Sequence, residues 1–468
     1  MVKTGRKSGC LSGCIPRLMI VLLVSGIISL VIFGFMLADR DAIKLDRINP
    51  PRIASGPPLP VPTSVSDPQP ANLLIRTGRL GDDEITLSLL DYQERDLRWN
   101  GPNLNDNTPL ALDDSQVYLI TDDLQLRALS LADGDQQWEI ELPAALAPLC
   151  RGCLLATGEF ILTLDETGTL SSYEALTGEL VWTTTLITIP NRLLRIGDQP
   201  AVIDTTASGQ PVLLMFDAAT GNRLLNIEPA CLTETLSPNS PVWYTAGNAS
   251  LYVLFGYTEH GCVQRWNLDS GELIWETSVQ LSRSAWPRDW FDDTLLVADD
   301  TMYFGGEQVD RYGKRTGVIL ALDILDGSIR EVSPHPNMML KPLAVEDDTL
   351  IVHAIPAPGT GADELWAISP TGGERYWRYP FDPTTSSWTT QLTTTGLVII
   401  QLLAGPDRIK VNLLNPSTGV LLAETITDID NAVWSGTTWT DDTAWLTIRS
   451  LYAVDLSTGE TTLFWPQP

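Results

Sequence analysis

Six cysteines, three histidines and several adjacent aspartate pairs are the side chains of this 468-residue sequence whose types could do chemistry. His260, His335 and His353 are too dispersed to announce a metal cluster, because structural metal sites usually pair ligands within a few residues. Asp113-Asp114, Asp292-Asp293, Asp347-Asp348 and Asp441-Asp442 offer oxygens of the kind calcium takes. Most of these pairs directly precede an expected strand, where aspartate is an ordinary turn residue, and turn chemistry accounts for them. No glycine-rich phosphate loop lies between a strand and a helix. Cys150-Arg151-Gly152-Cys153 has the spacing of a redox pair, a local disulfide or two reduced thiols. Two clusters mix arginine with aromatic rings, as recognition surfaces do: Trp286-Pro287-Arg288-Asp289-Trp290 and Arg311-Tyr312-Gly313-Lys314-Arg315.

The elements that must carry these residues are repeated. A frame with a short polar or acidic residue at position 0 and glycine at +4 recurs, usually with tryptophan or leucine at +8. It reads Ser130…Gly134…Trp138, Glu174…Gly178…Trp182, Asp217…Gly221…Leu225 and Asn267…Gly271…Trp275. It continues as Asp323…Gly327, Ser369…Gly373…Trp377, Asn415…Gly419 and Asp455…Gly459…Leu463. Successive glycines stand 40 to 56 residues apart, the period of a four-stranded propeller blade. Asp, Asn or Ser can hydrogen-bond the backbone at the entry of such a turn, and glycine accepts positive φ at its exit. The indole that follows buries a large apolar area, so the tryptophans read as blade-to-blade packing and not as a ligand box. A degenerate copy, Asp91…Arg95…Trp99, precedes the eight regular ones. The expectation is an all-β, eight-bladed β-propeller over residues 73–468, with seven blades as the alternative. The 73–99 copy either helps to close the ring or packs outside it.

The segment Ser172-Tyr173-Glu174-Ala175-Leu176-Thr177-Gly178-Glu179-Leu180-Val181-Trp182 resembles the PQQ-type propeller repeat of the quinoprotein family. That family includes quinone-dependent alcohol dehydrogenases and non-enzymatic members, such as the propeller lipoprotein of outer-membrane β-barrel assembly. The dehydrogenases carry an adjacent cysteine pair over the quinone and a calcium held by Glu, Asn and Asp. This sequence has no Cys-Cys, and the expectation is therefore a non-enzymatic chain with no cofactor and no metal.

Residues 18–37 (LMIVLLVSGIISLVIFGFML) hold twenty residues without a charge, enough at about 1.5 Å per residue to span a bilayer core. No convincing small-residue cleavage site follows, so the segment reads as an uncleaved anchor. Lys3, Arg6, Lys7 and Arg17 precede it and Asp39 and Asp41 follow it. The positive-inside rule keeps residues 1–17 cytoplasmic and exports the rest. Leu11-Ser12-Gly13-Cys14 imitates a lipobox but lies on the wrong side of the apolar run. Residues 38–72 contain eight prolines and read as an extended stalk that stays out of any sheet, up to roughly 100 Å long. The whole chain carries 30 basic against 58 acidic residues, a net −28. Such a surface repels phosphate backbones and anionic lipid, which excludes nucleic acid as a partner.

In a four-stranded meander, second-to-third-strand loops and blade-to-blade connections share one face, opposite the glycine turns. Cys231 falls in such a connection and Cys262 in the second-to-third-strand loop of the same blade, which predicts a Cys231–Cys262 bridge. The fourth to seventh regular copies have the longer loops on that face: Gly256–Cys262, Gly305–Gly317, Ile355–Asp363 and Leu403–Arg408. Tyr257, His260, Trp286, Arg288, Trp290, Arg311, Tyr312, Lys314 and Arg315 make a candidate binding face there, suited to a protein or acidic polymer. A plain insertion loop covering a blade edge explains the same residues. The function expected is a membrane-tethered, extracytoplasmic protein-binding or scaffold module. A relative of the quinone-dependent dehydrogenases and an extracytoplasmic sensor are the alternatives, and the 17-residue tail is too short to hold a regulatory domain.

Overall fold

The structure is a computed structural model that describes Arg52–Ile53, Leu59–Pro60 and most of residues 72–465. The predicted membrane segment 18–37 lies outside the described residues, among which no helix is long and apolar enough to cross a membrane. Nine blade-like antiparallel sheets follow one another along the chain, each a meander from an inner strand outward. In order they cover 52–104, 110–141, 154–185, 193–227, 242–280, 296–336, 338–380, 385–428 and 436–465, and are called sheets 1 to 9 below.

The turn frame does what its residues dictate. In all eight regular copies the N–H of position 0 donates to the carbonyl at +5, and the glycine N–H donates back to the carbonyl of position 0. The glycines have φ between 69° and 77°, left-handed values that residues with a Cβ enter only at a cost. Polar entry residues cap the turn. Asp217 Oδ1 accepts the N–H of Ala219 and the N–H and hydroxyl of Thr220.

The second strands are mostly apolar, as in Ser250–Gly256 and Gly396–Leu403, where every residue is buried. A strand in mid-sheet is covered by a neighbouring sheet on both faces, so an unbroken apolar run replaces alternation. Each junction between consecutive sheets has its own apolar cluster, from sheets 1 and 2 through to sheets 8 and 9. Sheet 9 packs against sheet 1 through Trp445, Leu451 and Phe464 on Leu73, Ile75 and Leu90, closing the ring.

Two expectations are corrected here. The ring has nine blade-like sheets, not eight or seven, because the degenerate copy builds a full sheet. Its turn closes without glycine, the Asp91 N–H donating to the Asp96 carbonyl while Arg98 bonds the Asp91 carboxylate. The Pro-rich stretch also enters a sheet. Arg52 and Ile53 pair with Gly78 and Thr77, and Leu59 and Pro60 pair with Leu74 and Leu73. Proline is tolerated there because it lies at a sheet edge, where its missing N–H breaks no ladder.

Candidate functional site at the loop face of sheets 5 to 8

The repeat tryptophans are placed first, because they could have lined a site. Each indole of Trp99, Trp138, Trp182, Trp275 and Trp377 lies on the next sheet's repeat. Their Nε1 atoms donate to the carbonyls of Leu131, Ala175, Ala218, Ile324 and Pro416, the residue after position 0 of the following copy. The glycine of that copy lies under the ring. A Cβ built on Gly134, Gly178, Gly221, Gly327 or Gly419 would come within 2.9 Å of the indole. The tryptophans are thus connectors between sheets. In the other copies smaller side chains take the slot, as Leu225 does over Gly271 and Val411 with Thr425 do near Gly459.

Opposite the glycine turns, the hairpin of second and third strands reaches furthest in sheet 6. Sheet 6 pairs Thr301–Val309 with Arg315–Asp323 over nine residues each. Sheet 3 pairs only Phe160–Leu164 with Thr169–Glu174. Three to four extra residues raise the sheet 6 hairpin by about 10–13 Å at ~3.3 Å each. Of the candidate face, the backbones of His260 and Arg315 open the third strands of sheets 5 and 6. Tyr257, Trp286, Arg288, Trp290, Arg311, Tyr312 and Lys314 lie outside the described residues.

Two buried polar networks that no single motif revealed hold the connections at this face. In sheet 8, Gln401 is fully buried. Its Oε1 accepts the Asp382 N–H at 3.1 Å and the Thr385 hydroxyl at 2.9 Å. Its Nε2 donates to the Tyr379 hydroxyl at 3.2 Å and to Asn412 Oδ1 at 3.3 Å. The Tyr379 hydroxyl donates to Asn412, whose Nδ2 donates to Glu424. Lys410 completes the chain with Nζ 3.0 Å from Glu424 Oε2. Hydrogen bonds from Lys410 and then Asn412 hold the Glu424 carboxyl below its ordinary range. Burial alone would pull Lys410 down, but the Glu424 hydrogen bond and the surrounding negative groups outweigh it and raise it.

In sheet 5, Gln264 donates to the Glu228 carbonyl at 2.8 Å and to Glu276 Oε1 at 2.7 Å. The same Glu276 oxygen accepts the N–H groups of Ala230 and Cys231, both at 2.9 Å. Cys231 and Cys262 are joined as a disulfide with Cα atoms 5.8 Å apart, and Cys262 Sγ lies 3.1 Å from the Glu276 oxygen. Cys262 is the third residue of its strand, not part of the loop before it. Cys153 is also disulfide-bonded, while Cys150 lies outside the described residues. The sequence held a signal for both networks: Glu276 and Glu424 each stand five residues after a repeat glycine, as does Glu139, which pairs with Arg127 at 2.6 Å.

His353 lies under the connection between sheets 7 and 8, 3% exposed. Its Nε2 is 3.0 Å from Asp363 Oδ2, with Trp388 edge-on at 4.5 Å and Phe381 at 6.1 Å. Burial lowers its pKa, against the hydrogen bond and charge of Asp363. An imidazole so enclosed packs against the connection above it. His335 packs edge-on against Trp366 at 4.8 Å. Asp113 caps its own turn and accepts the Tyr118 hydroxyl, a structural use of that carboxylate.

Cys231, Cys262 and Glu276 are the one metal-like group among the described residues, and both sulfurs are committed to the disulfide. The glutamate–amide pairs bind chain donors, and the indoles bind the next sheet.

Residues 80–254 and 259–431 match the family model of the outer membrane protein assembly factor BamB. No curated protein matches the chain. Among solved structures, BamB from Moraxella catarrhalis is 14% identical, covers 78% of this chain and 91% of its own, and gives a TM-score of 0.39. Dihydro-heme d1 dehydrogenase NirN is 13% identical over 80% of this chain and 78% of its own, with a TM-score of 0.42. Quinohemoprotein alcohol dehydrogenase from Comamonas testosteroni is 13% identical over 75% and 73%, with a TM-score of 0.37.

Proposed function

Since the chain belongs to the family of the outer membrane protein assembly factor BamB, we propose that it is a membrane-tethered, extracytoplasmic scaffold that binds a protein through the loop face of sheets 5 to 8. The observation that carries this reading is the asymmetry of the ring. The hairpin of sheet 6 rises furthest on one face, and buried networks around Gln264 and Gln401 anchor the connections that lead into sheets 5 and 8 at that same face. Pre-ordered connections reduce the entropy lost when a partner docks. The five repeat tryptophans are committed to the junctions. Export fits a disulfide-bonded domain, because disulfides persist in oxidising compartments.

Photo-crosslinking in the native membrane tests the reading. The reactive group replaces Tyr312, with a control at Ser328, an exposed residue of the glycine turn that follows Arg315–Asp323. A discrete protein adduct from Tyr312 alone is the expected result. Absence of an adduct at both positions removes the support for a protein partner and puts small ligands ahead.

A further inference from the structure

The Cys231–Cys262 bridge has a carboxylate as its neighbour, and that neighbour bears on how the bridge can open. In sheet 5 the third strand His260–Asn267 pairs with the outer strand Leu273–Gln280, Cys262 opposite Ser278 and Gln264 opposite Glu276. Side chains two residues apart share a face of a strand, as do directly opposed ones, which brings Cys262, Gln264 and Glu276 together. Glu276 Oε1 accepts N–H groups of Ala230, Cys231 and Gln264, and these hold it 3.1 Å from Cys262 Sγ. A disulfide sulfur has no hydrogen to donate, so the contact sets negative charge against sulfur. Among the described residues Glu276 makes no ion pair, so no lysine or arginine offsets its charge.

The two sulfurs differ in access. Cys262 is 0% exposed in an apolar cluster with Leu213, Ile227, Val253 and Phe255. Cys231 is half-buried on the connection into sheet 5. Thiol–disulfide exchange begins when a thiolate attacks one sulfur and expels the other as a thiolate. Access directs the attack to Cys231, so Cys262 must leave as an anion. It would do so inside an apolar cluster and beside the Glu276 carboxylate, and both surroundings oppose that charge. Exchange slows as the leaving thiolate becomes harder to form.

We propose that Glu276 is an electrostatic lock on the bridge, which keeps dithiols of the CxxC class from opening it while the propeller is folded. The reaction it slows has two steps. One thiolate of the dithiol forms a mixed disulfide with Cys231 and releases the Cys262 thiolate. The second thiol then displaces Cys231. The dithiol gives up two electrons and becomes a disulfide, and its two protons pass to Cys231 and Cys262. The lock acts where it matters for the fold, because the bridge, Gln264 and Glu276 together pin the connection between sheets 4 and 5.

The test treats the folded, oxidised full chain with dithiothreitol, quenches samples by alkylation and maps the cysteine peptides by mass. Glu276→Gln keeps a side-chain oxygen for the N–H groups of Ala230 and Cys231 and removes the charge. The Cys231–Cys262 bridge should then open at least about tenfold faster, while the disulfide of Cys153 opens at the wild-type rate. Equal rates in the two proteins overturn the lock. Acceleration at both disulfides also overturns it, because that reports general loosening and not the charge. A second arm needs no substitution and stands even where the variant does not fold. Wild-type protein exposed to the monothiol glutathione should yield its mixed disulfide on Cys231, and an adduct on Cys262 refutes the direction of attack on which the lock depends.

Discussion

Replacing Gly221 by alanine asks whether the indole-on-glycine contact determines the junctions. Gly221 has a φ of 70°, a region that a residue with a Cβ enters at a cost of about 1–2 kcal/mol. The added Cβ would stand 2.6 Å from Cδ2 of Trp182 and 2.9 Å from Cε3. Overpacking of this kind costs about 1–3 kcal/mol, so the expected loss is about 2–5 kcal/mol. Gly197 separates the two contributions. Its φ is 62° and an added Cβ meets nothing within 4 Å, so alanine there costs only the backbone strain. Urea unfolding followed by tryptophan fluorescence measures both variants. The difference between them should be about 1–3 kcal/mol, the share of the indole contact. Adding Trp182→Leu to Gly221→Ala should recover part of the loss, because Leu225 occupies the same slot over Gly271 with a closest approach of 3.1 Å. Equal losses at Gly221 and Gly197 would refute the contact as a determinant of the junction.

Cys231→Ser should lower stability by about 3–4 kcal/mol in the loop-entropy account, given the 31-residue separation of the bridged cysteines. A reductant, which also opens the disulfide of Cys153, should lower the wild-type denaturation midpoint at least as far, and a midpoint indifferent to reductant would contradict the bridge's role. His353 should titrate below the ordinary histidine value, because burial disfavours its charged form. Its unfolded form then binds protons first, so stability is present above about pH 6.5 and declines as pH falls below it. An NMR titration of the three histidines that finds His353 at or above the ordinary value would reverse the sign.

The turn frame was legible because it is local. Polar residue, glycine and indole each satisfy a requirement within about ten residues, and the contacts of Trp138 and Gly178 follow from them. Sheet 1 was harder to read. Its turn replaces glycine by Arg95 and closes on Asp91 with Arg98, while its inner strand comes from a stretch whose prolines argue against a sheet. The tolerance for Pro60 comes from its edge position, which only the assembled sheet supplies. The networks of Gln264 and Gln401 were hidden because each joins residues from several strands and a connection, and glutamate at +5 is weak evidence alone. The disulfide was legible through topology, since a connection and a third strand of one sheet meet at one face.

The seam between sheets 9 and 1 differs in kind from every other junction. Each of the nine sheets is built from one contiguous piece of chain, so among the described residues no strand from one terminus pairs into the sheet of the other. Among the described residues the ends meet through packed side chains, Trp445 and Phe464 edge to face at 4.8 Å above the leucines of sheet 1. A ring fastened this way can be cut elsewhere and rejoined here. A circular permutant that links residue 465 to residue 52 and opens between sheets 2 and 3 would keep eight of the nine junctions covalently bridged. The same modular closure lets a lineage gain or lose a whole sheet by duplication without rebuilding a shared terminal blade.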